Sequence, residues 1–455
     1  MGTLAMLTGM TPPPTGRFRR ADARPADSRR ADLRHADFRR FWAADTVSQA
    51  GTAVTLVALP LVAVGTLDAT PFEVGLLVAF EYLAFLLIGL PAGAWVDRVR
   101  QRPVMIAGDA VRAALLLSVP VAARLDVLTL PQLYAVAFGM SVCTAFFDVA
   151  HGSYLPHLVA DEHLVAANVR IEVSRSTVQV GGPGAGGALV GALTAPVALV
   201  VDAVTFGLSA LLLGRIRRTG AEAAATTAAR PATHLRKEIA EGLRFVLGDR
   251  LLRAVTLTAA VSNLCGTIGG SMLLVLLARE LHLSPFLCGL VFTAEAVGGL
   301  VGSLLTVRIA ARLGQGPAMC AAVAGSAVLW LLAVPLFRDD GWFAAAVLLQ
   351  ALGWVVFMTF KITSVAFRQR LCPKPLLGRM TATVRFLVWG VMPIGALIGG
   401  LLGQGLGVRQ ALWVGALGEL LAVLPVLCSP LRRMRELPSA PEAPANRPLA
   451  GATAG

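Results

Sequence analysis

The sequence predicts an all-α membrane protein with twelve transmembrane helices in two six-helix bundles arranged as parallel repeats. Three observations predict it. The first is composition: the 455-residue chain is 56% hydrophobic and only 15% charged, with a mean hydropathy of +0.70, less charge than a soluble chain of that length carries. The second is a series of twelve apolar runs, each near or above the roughly 20 residues that cross about 30 Å of hydrocarbon. The third is an internal duplication that maps the first half of the chain onto the second.

The elements follow in order. Residues 1–40 are polar and charged, and "ADARPADSRRADLRHADFRR" repeats Ala-Asp-x-Arg every five residues. That period winds around a helix without making a stripe, so a disordered, solvated cytoplasmic tail is expected. No cleavable signal peptide is expected, because the first apolar run is long enough to span. Runs 41–64, 72–95, 104–124, 131–150, 164–193 and 196–213 make a first bundle, 41–213. A basic cytoplasmic linker, 214–251, follows. Its Leu235, Ile239, Leu243 and Val246 recur at helical spacing, so part of it is expected to lie on the inner membrane surface. Runs 252–278, 286–307, 317–337, 342–366, 379–403 and 408–428 make a second bundle, 252–428, and 429–455 a second disordered cytoplasmic tail. Cys143, Cys265, Cys288, Cys320 and Cys428 lie in the runs without metal-ligand spacing and read as small hydrophobes.

Orientation follows from the basic residues of the short connections. With the N-terminus in the cytoplasm, the inner segments hold Arg17 to Arg40, Arg98 to Arg102, Arg215 to Arg253, Arg308, Arg312, Arg368 to Arg379 and Arg432 to Arg435. The outer loops hold little more than Arg124, Arg279, Arg338 and Arg409. Both termini are therefore expected inside. The net charge of +13 then faces anionic membrane lipid and calls for no nucleic-acid partner.

The duplication is ungapped over long stretches. "TPFEVGLLVAFE" (Thr70 to Glu81) corresponds to "SPFLCGLVFTAE" (Ser284 to Glu295), and the same offset of 214 maps Ser48 onto Ser262, Arg98 onto Arg312, Gln101 onto Gln315 and Pro103 onto Pro317. Later, Arg175 and Pro183 map onto Arg385 and Pro393 at an offset of 210. Each unit holds an even number of spans, so both copies insert with the same orientation, an arrangement found in transporters with the substrate path between the halves.

"GLPAGAWVDRVRQRPVM" (Gly89 to Met105) closes the second run with Gly93, Asp97, Arg98, Arg100 and Arg102 before Pro103 opens the third. Gly93 lets another helix approach closely, and Pro103 suits a helix start. This Gly-x-x-x-Asp-Arg-x-x-x-Arg pattern resembles the cytoplasmic loop motif of the major facilitator superfamily. "FFDVAHGSYLPHLV", "LVAANVRIEVSRS", "GPGAGG" and "GLRFVLGDRLLRAV" resemble the branch with enterobactin exporters and macrolide-efflux proteins. The resemblance implies a conformational latch in which Asp97 sits against the N-terminal end of the eleventh span, near Gly378 and Arg379, where the helix dipole favours an anion. It also implies that Arg102 pairs with Asp148. Arg100 and Gln101 depart from the family pattern, and in the second copy Asp97, Arg100 and Arg102 become Ala311, Gly314 and Gly316. Only the first copy is complete. Fixing topology is the alternative role for these arginines, and it needs neither Asp97 nor Gly93.

"GPGAGG" (Gly182 to Gly187) formally matches a dinucleotide fingerprint, but that fingerprint needs a preceding strand and this segment lies inside the fifth span. Gly182, Pro183, Gly186 and Gly187 resemble instead the helix-five motif of facilitator antiporters, with plain helix packing as the alternative. Charged residues at membrane depth are the remaining candidates. Glu81 and its repeat equivalent Glu295 lie near the middle of the second and eighth spans, where an ionised carboxylate costs about 2.5–3.5 kcal/mol, so a cavity or partner is expected to receive it. Asp45, Asp202, Arg385 and Glu419 are further candidates for handling protons or substrate. Asp109 and Arg112, three residues apart, read as a local pair. Phe80, Phe138, Phe146, Phe206, Phe292, Trp354, Phe357 and Trp389 either line an apolar pocket or face lipid and core.

No phosphate-binding loop, metal-ligand spacing or enzyme motif is present in the sequence, so no cofactor, metal or catalytic residue is expected; the histidines at 151, 157 and 163 are scattered along an inner loop. The expectation is a monomeric secondary transporter in the cell membrane that exports a hydrophobic or amphipathic small molecule in exchange for protons, with Glu81 as the main coupling carboxylate. Uptake of a nutrient by symport and a non-transporting receptor are the alternatives.

Overall fold

A computed structural model describes residues 36–96, 100–160, 163–216, 235–373 and 376–435. Among them the secondary structure is helical, with no strand. The first bundle consists of α1 (Ala36–Gly65), α2 (Pro71–Val96), α3 (Gln101–Arg124), α4 (Leu130–Leu158), α5 (Leu164–Leu193) and α6 (Ala195–Gly214). A linker helix, α7 (Leu235–Gly248), leads into α8 (Arg250–Val275), which runs on through a π turn at Leu276–Glu280. Then come α9 (Pro285–Leu313), α10 (Gln315–Ala333), α11 (Trp342–Leu371), the paired halves α12 (Leu377–Trp389) and α13 (Met392–Gly405), and α14 (Val408–Ala422).

Eleven of these helical stretches are long and apolar enough to cross a membrane. The twelfth, α5, is long enough but carries Arg170, Glu172 and Arg175 in its first half and glycines in its second. It still packs as a span, between α1 and α9. The eleventh run is broken at Gly390 and Val391, before Pro393, whereas its repeat equivalent α5 passes through Pro183 unbroken.

Local chemistry sets the helix starts. At α2, Pro71 occupies the first position, the Thr70 amide donates to Glu73 Oε2 (2.7 Å), and the Glu73 amide donates to Thr70 Oγ1 (3.4 Å), a reciprocal capping box. At the repeat equivalent, Ser284 caps the Leu287 amide (3.4 Å) ahead of Pro285. Leu287 stands where Glu73 does, so only half of the box survives. Asp249 starts α8 by accepting from the amides of Leu251 and Leu252.

The apolar core is divided unequally. Toward the face that carries the α1–α2 and α8–α9 connections, the far face, one continuous cluster joins both bundles: Leu59, Val62, Val74, Leu77 and Phe206 with Met272, Leu276, Val291, Phe337 and Leu412. Toward the opposite, basic face, the bundles have separate cores. Phe38, Phe41, Met105 and Tyr154 form one, Leu252, Met319, Phe360 and Phe367 the other. Three of the far-face arginines are tied down as well. Arg279 donates to Val64 O across the bundles (3.2 Å), Arg338 to Pro335 O (2.9 Å) and Arg409 to Phe337 O (2.9 Å).

Several boundaries differ from expectation, each because an apolar side chain finds a place in a core. Helix α1 starts inside the expected tail, at Ala36, since Phe38 is fully buried beside Phe41. Helix α4 runs on to Leu158, past the expected end at 150, because Tyr154 and Leu155 continue its buried face. His151 is therefore helical, not in a loop. Residues 429–435, assigned to the second tail, fold against α10: Leu431 is buried, and Arg435 O and Met434 O accept from the amides of Gln315 and Gly316 (2.8 and 3.1 Å). In helix α7, Val246 is buried with Met380 and Val384 of α12, which places that part of the expected stripe on protein. The tail residues 1–35 and 436–455, the linker residues 217–234, and Asp97 and Arg98 lie outside the described residues.

Candidate functional site

Between the bundles lies a cavity of about 390 Å³, lined from α1, α2, α8, α9, α10, α11, α13 and α14. Its size falls within the range of small-molecule sites, about 300–1,000 Å³. Three carboxylates reach it: Glu81 from α2, Glu295 from α9 and Glu419 from α14. The repeat equivalence of Glu81 and Glu295 thus becomes a shared location, with one carboxylate from each bundle. Glu419 comes from the last span and has no counterpart that the sequence singled out.

The three are held differently. Gln350 Nε2 of α11 hydrogen-bonds Glu295 Oε1, and Ser262 Oγ of α8 donates to Glu419 Oε2 (2.8 Å). Glu81 has no hydrogen-bond or ion-pair partner among the described residues. Aromatic rings complete the wall: Phe292, Trp330, Trp354 and Phe357 with Tyr82, Trp354 lying edge-on to Phe357 at 5.8 Å. Of the aromatic candidates, Phe292, Trp354 and Phe357 line the cavity. Phe80 stacks on Tyr134, Phe206 is fully buried, and Trp389 packs on Phe85 (5.0 Å). Gln350 and Tyr82 carry no signal in the sequence as single residues. Ser262 had carried one signal, its equivalence to Ser48.

The other charged candidates lie elsewhere. Asp202 of α6 is fully buried behind α1 and is hydrogen-bonded by Thr55 and Thr205. Asp109 and Arg112 of α3 pair as expected from their spacing, and Ser209 Oγ donates to Asp109 Oδ2 (2.6 Å). The Arg112 guanidinium is sandwiched between Phe147 and Phe206, 4.5 and 4.3 Å from their ring centroids. Asp45 of α1 is buried, accepts from Gln49 Nε2 (2.7 Å) and lies 3.2 Å from His151 Nε2, whose ring stacks on Phe41. Arg175 of α5 joins this group through Gln49 Oε1 (3.2 Å).

At the latch, the expected pairing is replaced. Arg102 does not meet Asp148; it donates to the carbonyls of Leu213 and Gly214 (2.9 and 2.6 Å), closing the end of α6. The last carbonyls of a helix lack intrahelical amides, and the guanidinium fork reaches both, beside the Ile216 amide that Leu213 O accepts (3.2 Å). Asp148 is taken across the bundle interface by Arg385 (3.3 Å), which also lies over the rings of Phe85 and Trp389. Arg379 bonds Glu241 of α7 (2.5 Å). Gly93 falls near the end of α2, and only its backbone is described.

The helix-five segment sits where three helices meet. Gly182 and Gly186 face Ala53 and Val54 of α1: a Cβ at Gly186 would lie 3.0 Å from Val54 Cα. Gly187 faces α9 instead, where a Cβ would come within 2.3 Å of Pro285 O. From the other side, a Cβ on Gly289 of α9 would lie 2.3 Å from Pro183 O. Backbone therefore meets backbone across the bundle interface, and only glycine permits it.

Two six-helix bundles of the same orientation, enclosing a cavity into which both contribute carboxylates, define a membrane transporter of the major facilitator type. The chain belongs to the transmembrane secretion effector family of that superfamily, which matches residues 27–453. It is 26% identical over 259 residues to the uncharacterized MFS-type transporter YfiS of Bacillus subtilis (strain 168), a match covering 57% of this chain and 61% of YfiS. It is 27% identical over 402 residues to the multidrug efflux pump Tap of Mycolicibacterium fortuitum, covering 85% and 94% of the two chains. Among solved structures, it resembles a bacterial homologue of the iron transporter ferroportin in its inward-facing state (TM-score 0.72, 18% identity, 86% and 98% covered). The nucleoside transporter NupG is also similar (TM-score 0.66, 11% identity, 86% and 98% covered).

Proposed function

We propose that this protein is a secondary active exporter of hydrophobic or amphipathic small molecules in the cell membrane, with its basic face and both termini in the cytoplasm, driven by protons that enter through the cavity carboxylates. The observation that carries the reading is the convergence of Glu81, Glu295 and Glu419 on one cavity whose walls come from both bundles. A carboxylate that meets first one side of the membrane and then the other can exchange a proton on each visit, and the aromatic wall suits an apolar cargo. The continuous far-face core and the separate basic-face cores fit a state closed to the outside. Rocking 41–213 against 252–428 would part the first and join the others. The positive-inside asymmetry supports the orientation, and the likeness to an efflux pump supports export.

In this reading the latch at Gly93, Asp97, Arg98 and Arg379 closes the cytoplasmic side of the opposite state. Gly182, Pro183, Gly186 and Gly187 act as the antiporter-type hinge of α5. In the same reading the protein works as a monomer, with lipid, protons and its substrate as partners.

The test is side-specific cysteine labelling joined to transport. Single cysteines facing the cavity in α8 and α9 should switch between inner and outer accessibility as substrate or pH gradient changes, and expressing cells of a pump-deficient host should accumulate less labelled compound. Fixed accessibility would leave a receptor. Switching with higher accumulation would make the protein an importer.

A further inference from the structure

We infer that the cargo is an organic cation and that Glu81 is the counter-ion that selects it. The inference rests on the reading of the cavity as a substrate site, and its observations are independent of transport. Charge comes first: among the described residues, the cavity wall holds three glutamates and no lysine, arginine or histidine. In a low-dielectric site, such one-sided charge excludes anions and draws cations.

The three carboxylates differ in availability. Glu295 and Glu419 are already engaged, by Gln350 and Ser262. Glu81 faces the cavity with no partner among the described residues. A carboxylate at membrane depth is costly to keep charged and alone, and a cationic cargo supplies the missing partner. The engaged pair then remains free to exchange protons while Glu81 holds the cargo. This division gives the cargo to Glu81, which the sequence alone marked as the main coupling carboxylate, and leaves coupling to the engaged pair.

The kind of cation follows from spacing and from the wall. Among the described residues no three histidine, cysteine, aspartate or glutamate side chains come close enough to hold a metal ion, so the three glutamates do not form one metal-binding cluster. A bare metal ion would be under-coordinated there. A bulky ion whose charge is spread over an apolar body meets Glu81 on one side and Trp330, Trp354 and Phe357 on the others, through contacts that favour cations over aromatic faces.

Equilibrium dialysis of the purified full-length protein in detergent tests this with two probes of matched size and opposite charge, tetraphenylphosphonium and tetraphenylborate. Saturable binding of the phosphonium and none of the borate is expected. Glu81→Gln should weaken phosphonium binding about tenfold, or about 1.4 kcal/mol, with Glu81→Asp restoring much of it. Should Glu81→Gln fail to purify intact, modification of Glu81 by a hydrophobic carbodiimide in the unsubstituted protein serves instead: phosphonium should slow it and borate should not. Equal binding of the borate, undiminished binding by Glu81→Gln or absence of protection overturns the inference. Any of these outcomes leaves the transporter reading standing, since that depends on the accessibility switch described above. Loss of the switch with intact phosphonium selectivity would overturn the transport reading and keep the cation site.

Discussion

Glu295 and Glu419 show how one residue type takes its role from its neighbours. Both are near mid-span and both open on the cavity, yet each is held by a neutral hydrogen-bond partner that tolerates a change of charge. Glu295→Gln keeps size and hydrogen bonding but cannot exchange a proton. We expect pH-driven transport in proteoliposomes to be lost while substrate binding persists; concentrative uptake at the unsubstituted rate would remove Glu295 from the coupling path, leaving Glu419 as the next variant. Asp109 and Arg112 are also charged and buried, but they face each other under Phe147 and Phe206. Removing one member strands the other, so Arg112→Met should destabilise the protein by about 3–5 kcal/mol, whereas the double replacement Asp109→Leu with Arg112→Met should cost far less. Thermal unfolding in detergent measures both. A double variant no more stable than the single one would contradict the pairing argument.

Helices carry the repeat into the interface. The stretches that begin Thr70-Pro71-Phe72 and Ser284-Pro285-Phe286 place Gly75 and Gly289 one turn into α2 and α9, and each glycine meets the other bundle's backbone: Gly75 against Ala396 O and Gly400, Gly289 against Pro183 O. The duplication thus marks two equivalent crossings that hold the far face together. Gly289→Leu should push α5 from α9 at a cost of about 1–3 kcal/mol to the closed far face. Far-side thiol labelling of a cysteine at Leu274, on the cavity wall, should then accelerate several-fold. Unchanged labelling would show that the crossing yields without opening. The repeated stretches themselves were legible, because residue order alone carries them, and the capping they make at Thr70 and Ser284 is settled within one turn. The burial of Phe38 and Leu431, which extends the fold into both expected tails, was not legible, because it depends on cores assembled from distant helices.

Over the whole molecule, the balance between the two faces depends on which contacts are strong. At the far face the bundles share a buried core and backbone crossings. The Asp148–Arg385 ion pair that joins them toward the basic face is partly exposed, at 37% and 43% of its side-chain surfaces. A pair that exposed contributes about 0.2–1 kcal/mol. Asp148→Asn should therefore change inner-side accessibility only a few-fold, and an all-or-none loss of transport would mean that Asp148 does more than bridge. The sequence by itself determined the class, the number and order of the spans, the repeat and the expected orientation, because hydropathy, basic flanks and duplicated motifs are properties of the chain that no tertiary contact has to supply. It also marked Glu81, Glu295 and Glu419 as costly at membrane depth. Only the tertiary structure decided which of the marked charges share a cavity and which are satisfied elsewhere. Asp45, Asp202 and Arg385 are equally conspicuous in the sequence, and they find His151, Thr55 and Asp148 instead. Helix rotation and bundle contact set those partners, and neither is written in the depth of a residue along its span.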